Sequence, residues 1–341
     1  MIEIVSGPCS AESGEQVFAT ASALRLMDTL EGRMHLRAFR AGLWKPRTRP
    51  GSFEGVGEKG FPWLKDVQQR LGYKVMVEVG TPSHVEAALK AGMDMLWIGA
   101  RTTTNPFDVQ AIADALRGTD IPVFVKNPIN PDVDLWVGAV ERLFAAGITD
   151  ISTVHRGFSY YEKSRYRNYP KWQVPIDVMQ MLPDVPMYCD PSHIGGSREY
   201  LREISQKALD LGFKGLFVES HISPDTAKSD ALQQVTPQEL VGMLSSLVVK
   251  DSKALNEGNI ALLRAKIDTI DDNLLDVLAE RMKVVEQIGE YKRANKMQVF
   301  QQSRWEEVQS RVAKGARARG LDADAVGELF KIIHQASIER Q

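Results

Sequence analysis

Short apolar runs alternate with amphipathic segments through the first 250 residues, and this alternation constrains the fold more than any other feature of the sequence. Each run has the length of a buried strand, and the segments between runs, such as residues 133–146, have helical periodicity. Eight strand-then-helix units in a stretch of this length predict an α/β fold, the (β/α)8 TIM barrel. The predicted strands are residues 2–6, 35–39, 74–78, 95–98, 122–126, 150–154, 186–189 and 215–219.

A doubly wound open sheet is the alternative fold for such an alternation. That fold usually carries a glycine-rich dinucleotide loop after its first strand. Here the position is occupied by Gly7-Pro8-Cys9, and a proline there does not suit a loop that cradles phosphate. The barrel is therefore the favoured prediction.

The pattern changes after Val249. A polar linker at 250–257 leads into a segment that lacks strand signals, and we predict a barrel domain at 1–249 and an all-α helical domain at 258–341. Apolar residues recur every three or four positions from Ile260 to Ile288, which predicts one long helix. Two shorter helices are predicted at 303–316 and 323–339, with Asp322 capping the second. A long helix cannot bury its apolar stripe alone, so a homodimer through this domain is expected.

Composition narrows the function classes. The chain has 42 Lys and Arg residues against 44 Asp and Glu residues, which argues against a partner that is nucleic acid or a membrane surface. Its apolar stretches are shorter than the roughly 18 residues of a membrane span, and the N-terminus does not resemble a signal peptide. Two cysteines make no disulfide framework, so a cytoplasmic protein is expected.

Reactive side chains follow all eight predicted strands, and in TIM barrels catalytic groups gather at the C-terminal ends of the strands. One set is cationic. Five cations directed at one mouth are costly unless anions fill it, and guanidinium forks match phosphate and carboxylate. The sequence therefore predicts phosphorylated, carboxylated substrates. The cations are Lys45, Arg47, Arg101, Lys126 and Arg156.

A second set mixes sulfur, nitrogen and oxygen donors: Cys9, His193, Glu219 and Asp230. Such a mixture suits a borderline divalent metal such as Mn²⁺, Fe²⁺, Co²⁺ or Zn²⁺, and does not suit Mg²⁺ or Ca²⁺. The second cysteine, Cys189, lies within a predicted strand without such neighbours and is expected in the core.

The motifs GPCSAE, KPRT, GAR, HRG, DPSH and VESH…SDALQQ resemble, in order, the 3-deoxy-D-arabino-heptulosonate 7-phosphate (DAHP) synthases of type I-beta. The resemblance implies condensation of phosphoenolpyruvate with erythrose 4-phosphate, with release of phosphate. It makes the four mixed donors the ligands of one divalent metal ion, with Mn²⁺ as the first choice. It gives Arg101 and Arg156 to the phosphate of phosphoenolpyruvate, and Ala100 to the substrate-binding residues. Lys126 and Arg47 lie near its carboxylate, and Lys45, Pro46, Arg47 and Thr48 form the sugar-phosphate site. Arg49 departs from the serine usual after KPRT.

Two questions about the barrel stay open. Glu78 either positions water or accepts a proton, or it is a partner of Lys126. The related synthases that use arabinose 5-phosphate are the nearest competing family; by the same resemblance they carry a different sequence where KPRT stands.

In the helical domain, Arg281 and Lys292 are eleven residues apart and fall within about 20° of one helix face. Two such cations can clamp a small dianion. Arg264 points about 100° away and cannot easily share that pocket; a pocket formed with another chain is one role for it. On spacing alone, all three residues also fit ordinary solvated cations of an amphipathic helix.

The run LLRAKIDTIDDNLLDVLAER resembles the AroQ class of chorismate mutases. The resemblance implies rearrangement of chorismate to prephenate, with Lys292 and Gln341 as donors to the ether oxygen and Arg264 serving the partner's site. Gln301 and Trp305 replace acidic residues of the family. A domain that only dimerises and senses prephenate or chorismate, with negligible turnover, is the alternative; allosteric control of the synthase is expected either way. The implied substrate-binding residues are Arg264, Arg281, Lys292, Arg304, Ser337 and Gln341.

Overall fold

The computed structural model describes residues 1–30, 32–46, 51–161, 164–249 and 257–340. The chain divides into two compact units, Met1–Asp251 and Ser252–Gln341. No helix in these ranges is long and apolar enough to cross a membrane.

The first unit is a closed parallel barrel whose strands follow one another in chain order, and the last strand pairs with the first. This confirms the predicted TIM barrel over the open sheet. The strands are β1 (Ile2–Gly7), β2 (Met34–Arg40), β3 (Val75–Val79), β4 (Met95–Ile98), β5 (Val123–Lys126), β6 (Ile151–His155), β7 (Met187–Cys189) and β8 (Gly215–Glu219).

In the described part of this unit, ten α-helices lie between and after the strands. They are α1 (Gly14–Ala23), α2 (Phe61–Leu71), α3 (Pro82–Lys90), α4 (Ala100–Thr103), α5 (Pro106–Ala115), α6 (Val133–Ala145), α7 (Gln173–Met181), α8 (Pro191–Gly195), α9 (Leu201–Asp210) and α10 (Pro237–Ser245). Their apolar faces pack on the outside of the barrel, where Trp136 of α6 and Leu240 of α10 are fully buried.

Alternate residues of each strand point into the barrel, as the period of two requires. In β5, Phe124 lies in the interior layer, whereas Val123 and Val125 face the helices. In β8, Phe217 points inward. The complete interior layer is Val5, Ala38, Met76, Met95, Trp97, Phe124, Val154, Tyr188 and Phe217. This layer fills the barrel and forms the floor beneath whatever binds at its mouth.

The second unit consists of α11 (Glu257–Ala294), α12 (Gln302–Ala318) and α13 (Ala323–Glu339). Asp322 caps α13, and its carboxylate accepts from the backbone N–H groups of Asp324 and Ala325 at 2.9 and 3.0 Å, as predicted. Few apolar side chains of this unit are buried. On α11 the stripe residues Ile267, Ile270 and Leu274 are 50–63% exposed, whereas Val285 further along the same stripe is buried. The described residues therefore cover only part of the predicted stripe.

Candidate active sites

A cavity of about 670 Å³ opens at the C-terminal ends of the barrel strands. It gathers predicted residues from seven of the strand ends and their following loops. They are Lys45, Pro46, Glu78, Ala100, Arg101, Lys126, Arg156, His193 and Asp230. The predicted Arg47 and Thr48 lie outside the described residues, as does Arg49.

The period of two explains why these side chains converge. Glu78, Lys126 and Glu219 each lie two positions after an inward-facing apolar residue of the same strand, so each continues the interior face. Arg40 and Asp190 have the same relation to Ala38 and Tyr188. Along each of these strands the inward-facing residues change from apolar to polar at the C-terminal end. The site therefore lies directly on the interior layer.

Three of the four predicted metal ligands form a compact cluster. Single donor atoms of Cys9, Glu219 and Asp230 all lie within 4.8 Å of one another. The Cys9 thiol donates to Asp230 Oδ2 at 3.2 Å. His193 lies beside this cluster, with Nε2 3.9 Å from Glu219 Oε1, while its other ring nitrogen is turned to Asp190.

The cluster has the properties of a cation site. Glu219 is fully buried; its Oε2 accepts from Gln233 Nε2 at 2.8 Å, but Oε1 has no hydrogen-bond partner among the described residues. This buried oxygen has Arg40 Nη1 at 3.3 Å but accepts no hydrogen bond from it, and it lies next to a thiol, a second carboxylate and an imidazole. A metal ion bound there would compensate it. The residues present therefore fit a borderline divalent metal.

The charges around the cluster lower the pKa values of its two carboxylates, which favours the ionised form that binds a metal. Burial alone would raise the pKa of Glu219, but His193 and Arg40 more than offset it, so that pKa is lowered. The same balance, set by His193, Lys45 and Arg167, holds the pKa of Asp230 well below its usual value. Cys9 behaves in the opposite way: burial, with a contribution from Glu219, raises the pKa of its thiol to about 12.

Lys126 has a different partner from the one considered in the sequence. Its Nζ donates to Asp190 Oδ2 at 2.7 Å, and both groups are buried. Burial lowers the pKa of Lys126, and Asp190 opposes that effect more strongly than Glu78 does. Glu78 instead lines the cavity beside Gly99, where a Cβ would lie only 2.1 Å from its Oε1. The ion pair of Lys126 is thus with Asp190, and Glu78 lies on the cavity wall.

Among the residues at or beside the cavity that were not predicted as site residues, four have charged or amide side chains: Arg40, Arg167, Asn168 and Asp190. Arg40 is 1% exposed, and its guanidinium lies over the rings of Trp97 and Phe217 at 4.6 and 5.1 Å. It also lies 3.3 Å from Glu219 Oε1 and donates to the carbonyl of Cys9. Its inward position in β2 was a signal available in the sequence.

Arg167 and Asn168 lie in the loop that follows β6. Arg167 Nη1 donates to Asp230 Oδ1 and to Gln233 Oε1, each at 2.8 Å. Asn168 accepts from Arg156 Nη1 at 2.9 Å. No sequence pattern marks this loop, because its approach to the cavity is a tertiary contact.

Two other reactive side chains of the strands face away from the cavity. Cys189 is buried in the layer between strands and helices, as predicted. His155 precedes Arg156 and therefore points outward, among the rings of Trp172 and Phe158. Burial lowers the pKa of His155 to about 3, so this imidazole is a neutral core residue.

The helical unit brings together part of its predicted site. Arg281 Nη1 donates to Ser337 Oγ at 2.7 Å, and Lys292 Nζ donates to the carbonyl of Val299 at 2.6 Å. Arg304 forms an exposed pair with Glu307 of its own helix. Arg264 is exposed, and Gln341 lies outside the described residues.

The sequence did not single out His334 in this unit. Its ring stacks on Trp305 with centroids 4.0 Å apart and an interplanar angle of 8°. Burial lowers the pKa of His334, and the charges of Arg281 and Lys292 lower it further. Both predicted clamp cations therefore lie close enough to act on one imidazole. Trp305, which replaces a family acid, is half-buried in this stack.

Known proteins resemble both units. Residues 1–257 match the model of the DAHP synthetase I family, and residues 263–341 match that of chorismate mutase type II. A phospho-2-dehydro-3-deoxyheptonate aldolase of Thermotoga maritima is 31% identical over 233 residues, which are 68% of this chain and 64% of that protein. A 2-dehydro-3-deoxyphosphooctonate aldolase of Bordetella bronchiseptica is 28% identical over 75% of this chain and 92% of its own length.

The crystal structure of the Thermotoga maritima DAHP synthase superimposes with a TM-score of 0.61 at 27% identity, covering 72% of this chain and 67% of that one. The match to the DAHP synthetase I family model, at residues 1–257, spans most of the chain. The chain belongs to the DAHP synthetase I family and carries a chorismate mutase type II domain at its C-terminal end.

Proposed function

We propose that the chain is a bifunctional enzyme of the shikimate pathway, with a DAHP synthase domain at 1–249, a linker at 250–257 and a chorismate mutase domain at 258–341. The observation that carries the first activity is the convergence of two sets of side chains on one cavity: a cation set suited to phosphate and carboxylate, and a buried donor cluster suited to a metal.

In the proposed condensation, the enol carbon of phosphoenolpyruvate forms a bond to the aldehyde carbon of erythrose 4-phosphate. Water then adds to the cationic centre left on the former enol, and inorganic phosphate leaves. Cys9, Glu219, Asp230 and His193 would hold one divalent ion, with Mn²⁺ as our first choice. When bound, that ion supplies Lewis-acid polarisation of the aldehyde.

The protein's own side chains bind and orient the anions. Arg101 and Arg156 line the cavity and are assigned to the phosphate of phosphoenolpyruvate. Burial lowers the pKa of Arg156 to about 10, which leaves it cationic at neutral pH. Lys126 and Arg40, held over Phe217 at 4.7 and 5.1 Å, are assigned to the carboxylate. Fixing two reactants in this way offsets on the order of 7–11 kcal/mol of barrier.

Glu78 is assigned to the water that adds to the cationic centre. Its carboxylate lines the same cavity as Lys126 and Arg101, and Asp190 rather than Glu78 forms the ion pair with Lys126. A carboxylate on the cavity wall that does not neutralise the lysine can accept a proton from that water.

The second aldehyde to consider is arabinose 5-phosphate, because the octulosonate relatives align over 92% of their length. We favour erythrose 4-phosphate, because Lys45 and Pro46 of the KPRT motif line the cavity. Phosphate release from phosphoenolpyruvate, measured with each aldose phosphate in turn, tests this choice. Faster release with arabinose 5-phosphate would contradict it.

The mutase activity requires only that the dianion be held compact and that charge growing on the ether oxygen be stabilised. We assign Arg281 and Ser337, which are in contact with each other, to the binding of chorismate. Lys292, Gln341 and Arg304 complete the predicted set. Loss of chorismate absorbance on adding the protein tests the activity, with Arg281→Met as the matched variant. Tight binding of prephenate without turnover would instead support the ligand-sensing alternative.

We further propose that α11 dimerises with a second copy. Its apolar side chains are exposed in a single chain at helical spacing. Arg264, also exposed, would then serve the site of the partner.

A further inference from the structure

Asp190 contacts two of the groups that the proposed condensation uses. It lies between β7 and α8 and is completely buried. Its Oδ2 is 2.7 Å from Lys126 Nζ and 2.8 Å from His193 Nδ1. Its Oδ1 accepts from the backbone N–H of His193 at 2.9 Å. One carboxylate thus joins a substrate-binding lysine to a predicted metal ligand.

The position of this carboxylate is fixed by the backbone. The N–H of Asp190 donates to the carbonyl of His155 at 2.7 Å, which continues the β6–β7 ladder. The side chain then caps α8, which begins at Pro191. On the other side, Asn168 Nδ2 donates a hydrogen bond of 2.6 Å to the carbonyl of His193. The histidine therefore meets a rigid acceptor.

The consequence concerns the two ring nitrogens of His193. An ionised carboxylate only accepts hydrogen bonds, so the nitrogen beside it must carry the hydrogen. The two atoms are 2.8 Å apart, although the N–H direction at Nδ1 does not meet the carboxylate squarely enough to count as a hydrogen bond. With the hydrogen on Nδ1, the lone pair is on Nε2, the atom that points to Glu219 at 3.9 Å.

We propose that Asp190 is a positioning residue that holds His193 in the Nδ1–H tautomer and so presents Nε2 as a metal donor. The inference rests on the proposed metal centre. Because the same oxygen binds Lys126, it also fixes the distance between the metal ligand and the lysine assigned to the phosphoenolpyruvate carboxylate.

Asp190→Asn tests the proposal with little change in shape. The amide oxygen can still cap α8, but the amide NH₂ then faces Nδ1 as a donor and favours the tautomer with hydrogen on Nε2. Two measurements on the full-length protein report this without any turnover. Nitrogen-15 NMR of the metal-free protein distinguishes the tautomers, and with six histidines in the chain His193→Gln identifies the signal. Titration with Co²⁺, followed by its visible absorption, gives the metal affinity.

In the wild type we expect His193 with hydrogen on Nδ1. In Asp190→Asn we expect the other tautomer and Co²⁺ binding weaker by about 10–100-fold, the usual effect of losing an outer-shell partner. Lys126→Gln is the matched control. It removes the charge of the other partner and leaves the carboxylate, so tautomer and Co²⁺ affinity should not change.

Hydrogen on Nε2 in the wild type would overturn the proposal, even if Asp190→Asn failed to fold. So would a folded Asp190→Asn protein with unchanged tautomer and unchanged affinity. Neither readout depends on the condensation, so failure of that proposed activity would be seen separately, as absent phosphate release in a protein that still binds Co²⁺.

Discussion

Metal binding at pH 8 should release one proton per barrel, and Cys9 should supply it. The thiol is the one proposed donor that keeps its proton at this pH, since burial raises its pKa to about 12. The pKa values of Glu219 and Asp230 are lowered, so both are already ionised. Burial lowers the pKa of His193, so its imidazole is already neutral.

The size of the effect follows from the same pKa. An ordinary thiol ionises near pH 8.5, so forming the Cys9 thiolate before the metal arrives costs about 4–5 kcal/mol more than it would in water. The metal–thiolate bond must offset this cost. Because the working pH lies well below 12, each rise of one pH unit should tighten apparent metal binding about tenfold.

Calorimetry of Mn²⁺ or Co²⁺ binding in buffers of different ionisation enthalpy measures the number of protons released. We expect about one for the wild type, and for Cys9→Ala either no binding or binding without proton release. Cys189→Ala is the matched control, because that thiol is equally buried but faces the helices. Metal binding that releases no proton, or equal release in Cys9→Ala, would refute the reasoning.

Three further predictions concern single parts of the molecule. Arg40→Met removes a buried cation from the proposed carboxylate site and should lower kcat/KM for phosphoenolpyruvate by about 10²–10³; metal affinity, measured in parallel, should not fall, because the cation opposes a metal at Glu219. Leu274→Lys places a charge in the exposed stripe of α11 and should convert a dimer to a monomer by light scattering, with loss of the mutase and retention of the condensation; an unchanged mass would place the interface elsewhere. Prephenate should lower the activity of the full-length synthase several-fold to about a hundredfold, the range that typical coupling energies give. It should not inhibit a chain that ends at Val249. Equal responses of the two chains would mean that the fusion only tethers the two domains.

The sequence predicted the barrel well because its signal is repeated eight times. Strand boundaries differ by a residue or two: β6 runs to His155 rather than ending at 154, and β7 begins at Met187 rather than 186. Hydrogen bonds to neighbouring strands set these ends, and a single strand does not reveal them.

How well the residues of the candidate site could be predicted depends on how close they lie to the strands. Residues at strand ends, such as Lys126 and Glu219, were predicted because a barrel brings all C-terminal ends to one mouth. The period of two would have added Arg40 and would have turned His155 away. Arg167 was out of reach for sequence reasoning, since a loop with no periodicity carries it to Asp230.

In the helical unit the limit is different. The period of a helix places Arg281 and Lys292 on one face, but packing between helices decides which partner each finds. Arg281 reaches Ser337 on α13, and His334 meets Trp305 across α12 and α13. A single sequence shows which faces are apolar, but not which faces pack together.

The central claim is that one chain carries a metal-dependent site and a second site whose reaction needs no metal. It is tested most directly by assaying both reactions on the same full-length preparation, with and without a strong chelator, followed by added Mn²⁺. All four proposed metal donors lie before residue 250. The account predicts that chelation abolishes the condensation, that Mn²⁺ restores it, and that chorismate consumption does not change. Equal loss of both activities, or a condensation that survives complete removal of metal, would contradict it.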